Sequence, residues 1–197
     1  MAEPKAKPGW IVIDDEIPYV TPDMLDWWWV NMEKGYQVWY PGEHESFEWL
    51  VPPSTDTHIG AIQIAGEFGQ KIYIGWMDPN KAPQEIKDWL TFPHVLLCAS
   101  LDPNTRKPRM YFSHQYEATS YGTHMRSTFH GLGELPPEAR LPGREKLIVE
   151  HQHGEVGTFK DFLPELYKMW QVVKDPTVNR QCSLKIIKEG STFKYVK

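Results

Sequence analysis

The stretch "GEVGTFKDFLPELYKMWQVV", residues 154–173, sets Phe159, Phe162, Leu163, Leu166, Tyr167, Trp170 and Val173 three and four positions apart. That is the period of one helix face, so a long amphipathic helix is predicted near the end of the chain. Pro164 inside the pattern marks a kink or the meeting of two helices. Far upstream, "TPDMLDWWWVNM" (residues 21–32) has Thr21 as N-cap, Pro22 at the first helical position and Asp23 in the first turn. A helix of two to three turns should start there and stop near Gly35.

The segments between these helices read as strands. "WIVIDDEIP" (10–18) is a short one, "YQVWYP" (36–41) is extended, and "HIGAIQIAGEFGQKIYIGWMDP" (58–79) forms two strands around a Gly-rich turn. "HVLLCASLD" (94–102) and "RKPRMYFSHQYEAT" (106–119) pair through the turn residues "DPNT", and "GTHMRSTFHGLG" (122–133) adds another strand. "GREKLIVEHQHGE" (143–155) reads as a last strand feeding the final helix, and 181–197 as a hairpin across Glu189 and Gly190. Residues 1–9 form a loose arm. Helix, antiparallel strands, then long helix is the order of an α+β domain whose sheet curls around the terminal helix and leaves a cavity between them. The 197 residues suit a single domain spanning 1–197.

Composition narrows the function classes. Nine Trp, nine Tyr and eight Phe fill the interior with bulky rings, which favours a pocket for a small, flat, apolar molecule. A net charge of −5 with scattered Lys and Arg argues against nucleic acid. Cys98 and Cys182 lie in unrelated contexts and imply no disulfide framework. The start has no apolar leader and no run is long enough to span a membrane, so a soluble, cytoplasmic protein is expected.

The chemistry concentrates in "HQHGE". His151 and Glu155 are four apart, and on a helix they project one turn apart from one face, where both can meet one ion. A histidine and a carboxylate suit Zn²⁺, and also Mn²⁺, Fe²⁺ or Co²⁺. The same pair also occurs on solvated helix faces. His153 points elsewhere, to solvent or to a supporting contact. Further donors lie at His44, amid aromatics, and at Glu67, an acid in an apolar, Gly-flanked strand that needs a partner if buried. Their plain readings are a loop histidine and a solvent-facing strand end.

Taken in order, "DWWWVNMEKGYQVWYPGEH", "GEFGQ", "SHQYEATSYGTHMRSTFHGLG" and "EHQHGEVGTFKDFLPELY" resemble the catalytic domain of the 2,4-diacetylphloroglucinol hydrolase and phloretin hydrolase family, over roughly residues 22–170. The resemblance implies a Bet v 1-like helix-grip fold and a zinc held by His44, Glu67, His151 and Glu155. It implies hydrolysis of the carbon–carbon bond between a phenolic ring and an acyl group. By the same resemblance Glu67 and His114 are catalytic, His114 lies near the reacting carbonyl, Tyr36 holds a ring hydroxyl, and Trp39 and Arg126 belong to the substrate site. Phe47 stands where the family commonly has an asparagine near the substrate. Tyr36 also reads as core packing beside Trp39, and Arg126 as a sheet-end ion pair.

The expected partner is a small phenolic molecule, with neither nucleic acid nor membrane, and a homodimer is compatible with the sequence. Two other functions fit the same residues: a metalloenzyme of this fold acting as a lyase or cyclase on aromatic polyketides, and a non-catalytic carrier.

Overall fold

The computed structural model describes residues 4–131 and 143–196, so residues 1–3 of the expected arm, 132–133 of the expected strand and Lys197 lie outside the described residues. Seven strands form one antiparallel sheet in the order β1-β7-β6-β5-β4-β3-β2. They are β1 (Ile11–Pro18), β2 (His44–Val51), β3 (Ile62–Glu67), β4 (Gln70–Trp76), β5 (His94–Leu101), β6 (Pro108–Ala118) and β7 (Gly122–His130). Helices α1 (Pro22–Trp29) and α2 (Tyr36–Trp39) join β1 to β2, α3 (Gln84–Trp89) precedes β5, and α4 (Arg144–Trp170) follows β7. A hairpin of β8 (Ile186–Glu189) and β9 (Thr192–Tyr195) ends the chain, turning at Gly190 as expected. This seven-stranded antiparallel sheet packed against a long C-terminal helix is a Bet v 1-like helix-grip fold.

Alternation along the strands divides the core. On β6, Phe112, His114 and Tyr116 face α4 and the α1–α2 segment, while Gln115 faces outward and accepts hydrogen bonds from the backbone N–H groups of Thr91 and Phe92. The outer face of β5 is buried too: Val95 and Leu97 pack with Ile86 and Leu90 from the α3 segment and with Ile186 and Phe193 of the C-terminal hairpin. Both faces of the central strand are covered, and "HVLLCASL" accordingly shows almost no polar alternation.

Thr21 caps α1 as expected, its side chain accepting from the Met24 N–H with Pro22 in the first turn. Consecutive tryptophans on a helix cannot share one direction, yet Trp27, Trp28 and Trp29 are all buried because α1 is surrounded. Trp27 donates to Asn179 Oδ1 (2.6 Å), Trp28 packs edge-on to Phe162 of α4, and Trp29 stacks on His114 of β6.

Two local expectations are overturned. "YQVW" is a helical turn rather than extended chain, since Tyr36 and Trp39 are both buried and three-residue spacing points both rings inward. "REKLIVEHQHGE" is the first half of α4 rather than a strand: its β-branched pair Ile148–Val149 suggested extension, but Ile148, Gln152, Glu155, Val156, Phe159 and Leu163 form one continuous buried stripe. The chain runs through Pro164 as a single helix and ends at Trp170, three residues before the expected Val173. Strand β2, which opens with His44, carried no clear alternation and was not anticipated.

Candidate metal centre and ligand cavity

His44 and Glu67 are direct cross-strand partners at the ends of β2 and β3. A register shift between His44 and Ser46 bulges β2 at this point, and Gly66 lets Ser46 approach so closely that an added Cβ would stand 2.3 Å from its hydroxyl. The β3–β4 hairpin turns through Phe68 and Gly69, both at positive φ (53° and 68°), the backbone that tight primed turns require. This turn sets the Phe68 ring 4.7 Å from that of His151.

From the other side α4 presents His151 and Glu155 one turn apart. Glu155 Oε2 lies 3.3 Å from His44 Nε2 and 3.4 Å from His151 Nε2, and one donor atom from each of His44, His151 and Glu155 lies within 4.8 Å of the others. Donors held about 2.0–2.2 Å from one ion in a tetrahedral site stand roughly 3.3–3.6 Å apart, so these two spacings match edges of such a polyhedron. His44 Nδ1 lies 3.2 Å from the Tyr36 carbonyl, an acceptor only, so that nitrogen carries a proton and Nε2 is the one that could ligate an ion. His44 Nε2 is buried without a hydrogen-bond partner and faces a carboxylate. Two imidazole nitrogens and a carboxylate converging on one point are a donor set whose chemistry fits Zn²⁺ or a similar divalent ion.

Glu67 stands at the edge of this group. Its Oε2 is 3.9 Å from His151 Nε2, and its Oε1 accepts a hydrogen bond from the Tyr36 hydroxyl. Burial and the Glu155 charge raise its carboxyl above the ordinary range. Burial would likewise raise Glu155, but His151 and His44 overcome it and hold that carboxyl at about 2. Burial pulls His151 down, and the surrounding carboxylates, Glu155 foremost, raise it to about 9.

The site opens on a cavity of about 450 Å³ between α4 and the concave sheet, walled by Trp29, Trp39, Trp76, Phe112 and Phe129 among others. Tyr36 and Trp39 line it, with Tyr36 stacked 4.3 Å above His44 and Trp39 Nε1 donating to the Glu155 carbonyl (2.8 Å). His114 lines it as well. Burial lowers its pKa to about 4, so the ring is neutral at pH 7. Its Nδ1 is 2.9 Å from Ser127 Oγ, and that hydroxyl has no other acceptor among the described residues. Ser127 therefore donates to Nδ1, and His114 carries its proton on Nε2.

Two expected substrate contacts are misplaced. Arg126 sits on the outer sheet face, because β7 alternation gives the inner face to Ser127 and Phe129; its Nε donates to Asp14 Oδ1 (2.9 Å) and its guanidinium lies over Trp89 and Phe92. The sheet ion pair is thus the reading that holds for Arg126. Phe47 packs between Tyr36 and Trp49 and is absent from the cavity wall. His153 is turned away and bonds Asp15 Oδ1 at 2.7 Å.

Two contributors escaped sequence reasoning. Glu43 Oε2 lies 3.1 Å from His151 Nδ1, and the only signal was its place beside His44. Tyr40 packs its ring edge-on to both His44 and His151, and an added Cβ at Gly154 would stand 2.3 Å from its hydroxyl, which accounts for the glycine inside "HQHGE".

No known protein-family model and no curated protein matches the sequence. Solved structures do match in shape. Protein Ms6760 from Mycobacterium smegmatis aligns with TM-score 0.51 at 14% identity, over 80% of this chain and 92% of that one. A protein from Staphylococcus epidermidis aligns with TM-score 0.51 at 11% identity over 84% and 93% of the two chains, and one from Arthrobacter aurescens with 0.50 at 13% over 80% and 87%. At these identities the likeness is one of fold. Among the described residues no helix is long and apolar enough to cross a membrane.

Proposed function

We propose that the protein is a zinc-dependent hydrolase that cleaves the bond between a phenolic ring and an acyl carbon, giving a carboxylic acid and the deacylated phenol with consumption of one water. The observation that carries this reading is the buried His44–His151–Glu155 group, with its unpartnered His44 nitrogen, opening directly on an aromatic-walled cavity. His44, His151 and Glu155 would hold the ion, with Glu67 beside them as a fourth, exchangeable arm. A bound divalent ion supplies Lewis acidity that polarises a ketone oxygen and acidifies water.

The chain's own residues supply the rest. Trp29, Trp39 and Phe112 exclude water and pack against the flat ring. Tyr36, whose hydroxyl donates to Glu67, binds a ring hydroxyl by accepting from it and extending that hydrogen bond. Neutral His114 donates from Nε2 to oxygen; at about 4 its pKa rules it out as a ready-charged acid at pH 7.

A second reading, lyase or cyclase chemistry on an aromatic polyketide, is favoured by the apolar Phe47 that packs against Tyr36. A carrier role accounts less well for two imidazoles gathered on one buried carboxylate. The deciding experiment is metal analysis of the purified protein, then assay of zinc-loaded and metal-stripped samples on a panel of acylphloroglucinols. About one zinc per chain and metal-dependent release of carboxylic acid are expected. Transformation of another aromatic polyketide with no acid released from any acylphenol would put the second reading in its place.

A further inference from the structure

The two histidines of the centre are held differently at their outer nitrogens. His44 Nδ1 is tied to a backbone carbonyl, that of Tyr36, at 3.2 Å. His151 Nδ1 is tied to a side chain, Glu43 Oε2, at 3.1 Å, and this contact crosses from the turn before β2 to α4, 108 positions along the chain. Glu43 cannot itself join the ligand group through this contact, because it meets the nitrogen opposite the one that faces Glu155 and Glu67. Its carboxylate can only accept, so it holds a proton on His151 Nδ1 and reserves Nε2, the nitrogen facing Glu155, as the one that would ligate an ion.

We propose that Glu43 is a positioning residue for the metal centre: it fixes the tautomer and ring angle of His151, so that one short segment, Glu43-His44, supplies both a ligand and the support for a second ligand on the opposite element. The Glu43 side chain is about 40% exposed. It is therefore not a core residue whose replacement would unfold the domain. The backbone here is held independently, the N–H groups of Glu43 and His44 both bonding the Tyr40 carbonyl, so the turn survives without the carboxylate. Carboxylates in this relation to a ligating imidazole typically contribute a factor of about 10–100 in metal affinity.

The inference rests on the metal-centre reading, and the test keeps the two apart. Zn²⁺ affinity is measured by competition with a chromophoric chelator on folded, metal-stripped wild type, Glu43→Ala, Glu43→Gln and Glu48→Ala, and the visible spectrum of the Co²⁺-loaded forms is recorded. Glu48 is an exposed acid on β2 and removes the same charge without touching a histidine. The expected order is weakening by about 10–100-fold in Glu43→Ala, less than about 3-fold in Glu43→Gln, whose amide oxygen still accepts the proton, and no change in Glu48→Ala. The Co²⁺ spectrum should change shape in Glu43→Ala and be restored in Glu43→Gln. Wild type that binds neither ion overturns the metal centre and this role with it. Wild-type affinity in Glu43→Ala, or equal weakening in Glu43→Gln or Glu48→Ala, overturns the positioning role alone.

Discussion

Among the described residues two carboxylates, Asp26 and Glu155, are buried, and their surroundings differ in kind. Asp26 on α1 is enclosed by donors: the Tyr116 hydroxyl (2.6 Å) and His94 Nδ1 (3.0 Å) on Oδ1, the Leu184 N–H (3.0 Å) and the Ser183 hydroxyl (3.3 Å) on Oδ2. Glu155 on α4 faces two imidazole nitrogens at 3.3 and 3.4 Å, and a second carboxylate stands close by. The first network is complete within the chain and ties α1, β5, β6 and the C-terminal segment together. The second lies on the cavity wall and gathers the donor types of a metal site. A buried charge enclosed by hydrogen-bond donors serves architecture, and one grouped with imidazoles on a cavity wall is placed to meet a ligand.

The sharpest way to break that comparison is an isosteric amide in each place. Asp26→Asn turns one acceptor into a donor that must face the N–H or O–H groups now bound there, and should cost about 3–5 kcal/mol in denaturant unfolding. Zinc binding by the remaining folded fraction should be unchanged. A loss under 1 kcal/mol would show that the Asp26 network is not what fastens the C-terminal segment.

Acid should separate the same two regions. His58 and His130 are buried away from the centre, and burial lowers them to about 4 and about 3. Their folded values lie below the unfolded value near 6.5, so the unfolded chain binds more protons as pH falls, and stability complete above about 6.5 declines down to about 4 and 3 respectively. Each contributes up to roughly 1.4 kcal/mol per pH unit in that window. His151 runs the other way. Raised to about 9, it stabilises the metal-free fold below about 6.5, and that contribution is lost as pH rises through 9. Unfolding curves of His58→Gln should be flatter between pH 6 and 4 than wild type, and those of His151→Gln flatter between pH 7 and 9.

How far the sequence foretold these regions follows the same division. The second half of α4 and the cap of α1 were legible because a 3.6-residue stripe and a Thr-Pro-Asp start are local signals. Leu147–Val149 misled because three apolar residues in a row fit strand and helix alike, and only the buried stripe beyond them decides. Around the centre, residue types told more than positions did. His44, His151 and Glu155 come together as the resemblance implied, with Glu67 at their edge, whereas strand alternation turns Arg126 outward and Phe47, on the inner face opposite Ala65, packs against Tyr36 short of the cavity wall, neither of which a motif shows. Glu43 and Asp26 were silent for a different reason: their partners are brought near only by the finished fold.

Gly154→Ala tests how tightly the centre is packed. Alanine should strengthen an exposed helix position by about 1 kcal/mol over glycine, but here its methyl would meet the Tyr40 hydroxyl at 2.3 Å and ring carbon at 2.5 Å. Displacing that ring should cost about 1–3 kcal/mol, leaving a net loss of roughly 1 kcal/mol in thermal unfolding together with weaker zinc binding, since Tyr40 packs on both histidines. A stabilised variant with wild-type affinity would mean that Tyr40 moves aside freely.

The smallest expected effect on stability carries the most information. Glu155→Gln can place its amide NH2 where Oε2 now faces both histidines, with one N–H for each Nε2 once the rings are neutral. The new hydrogen bonds offset much of the lost ion pair, so the metal-free protein should unfold within about 1 kcal/mol of wild type, against about 3–5 kcal/mol for the same chemical change at Asp26. Zinc binding should nevertheless be lost, because a neutral amide nitrogen turned toward His44 is no ligand for the ion. Equilibrium unfolding and metal titration on one preparation read both quantities. If Glu155→Gln were as damaging to the fold as Asp26→Asn, Glu155 would be a second structural tie, and the distinction between a closed network and an open site would collapse.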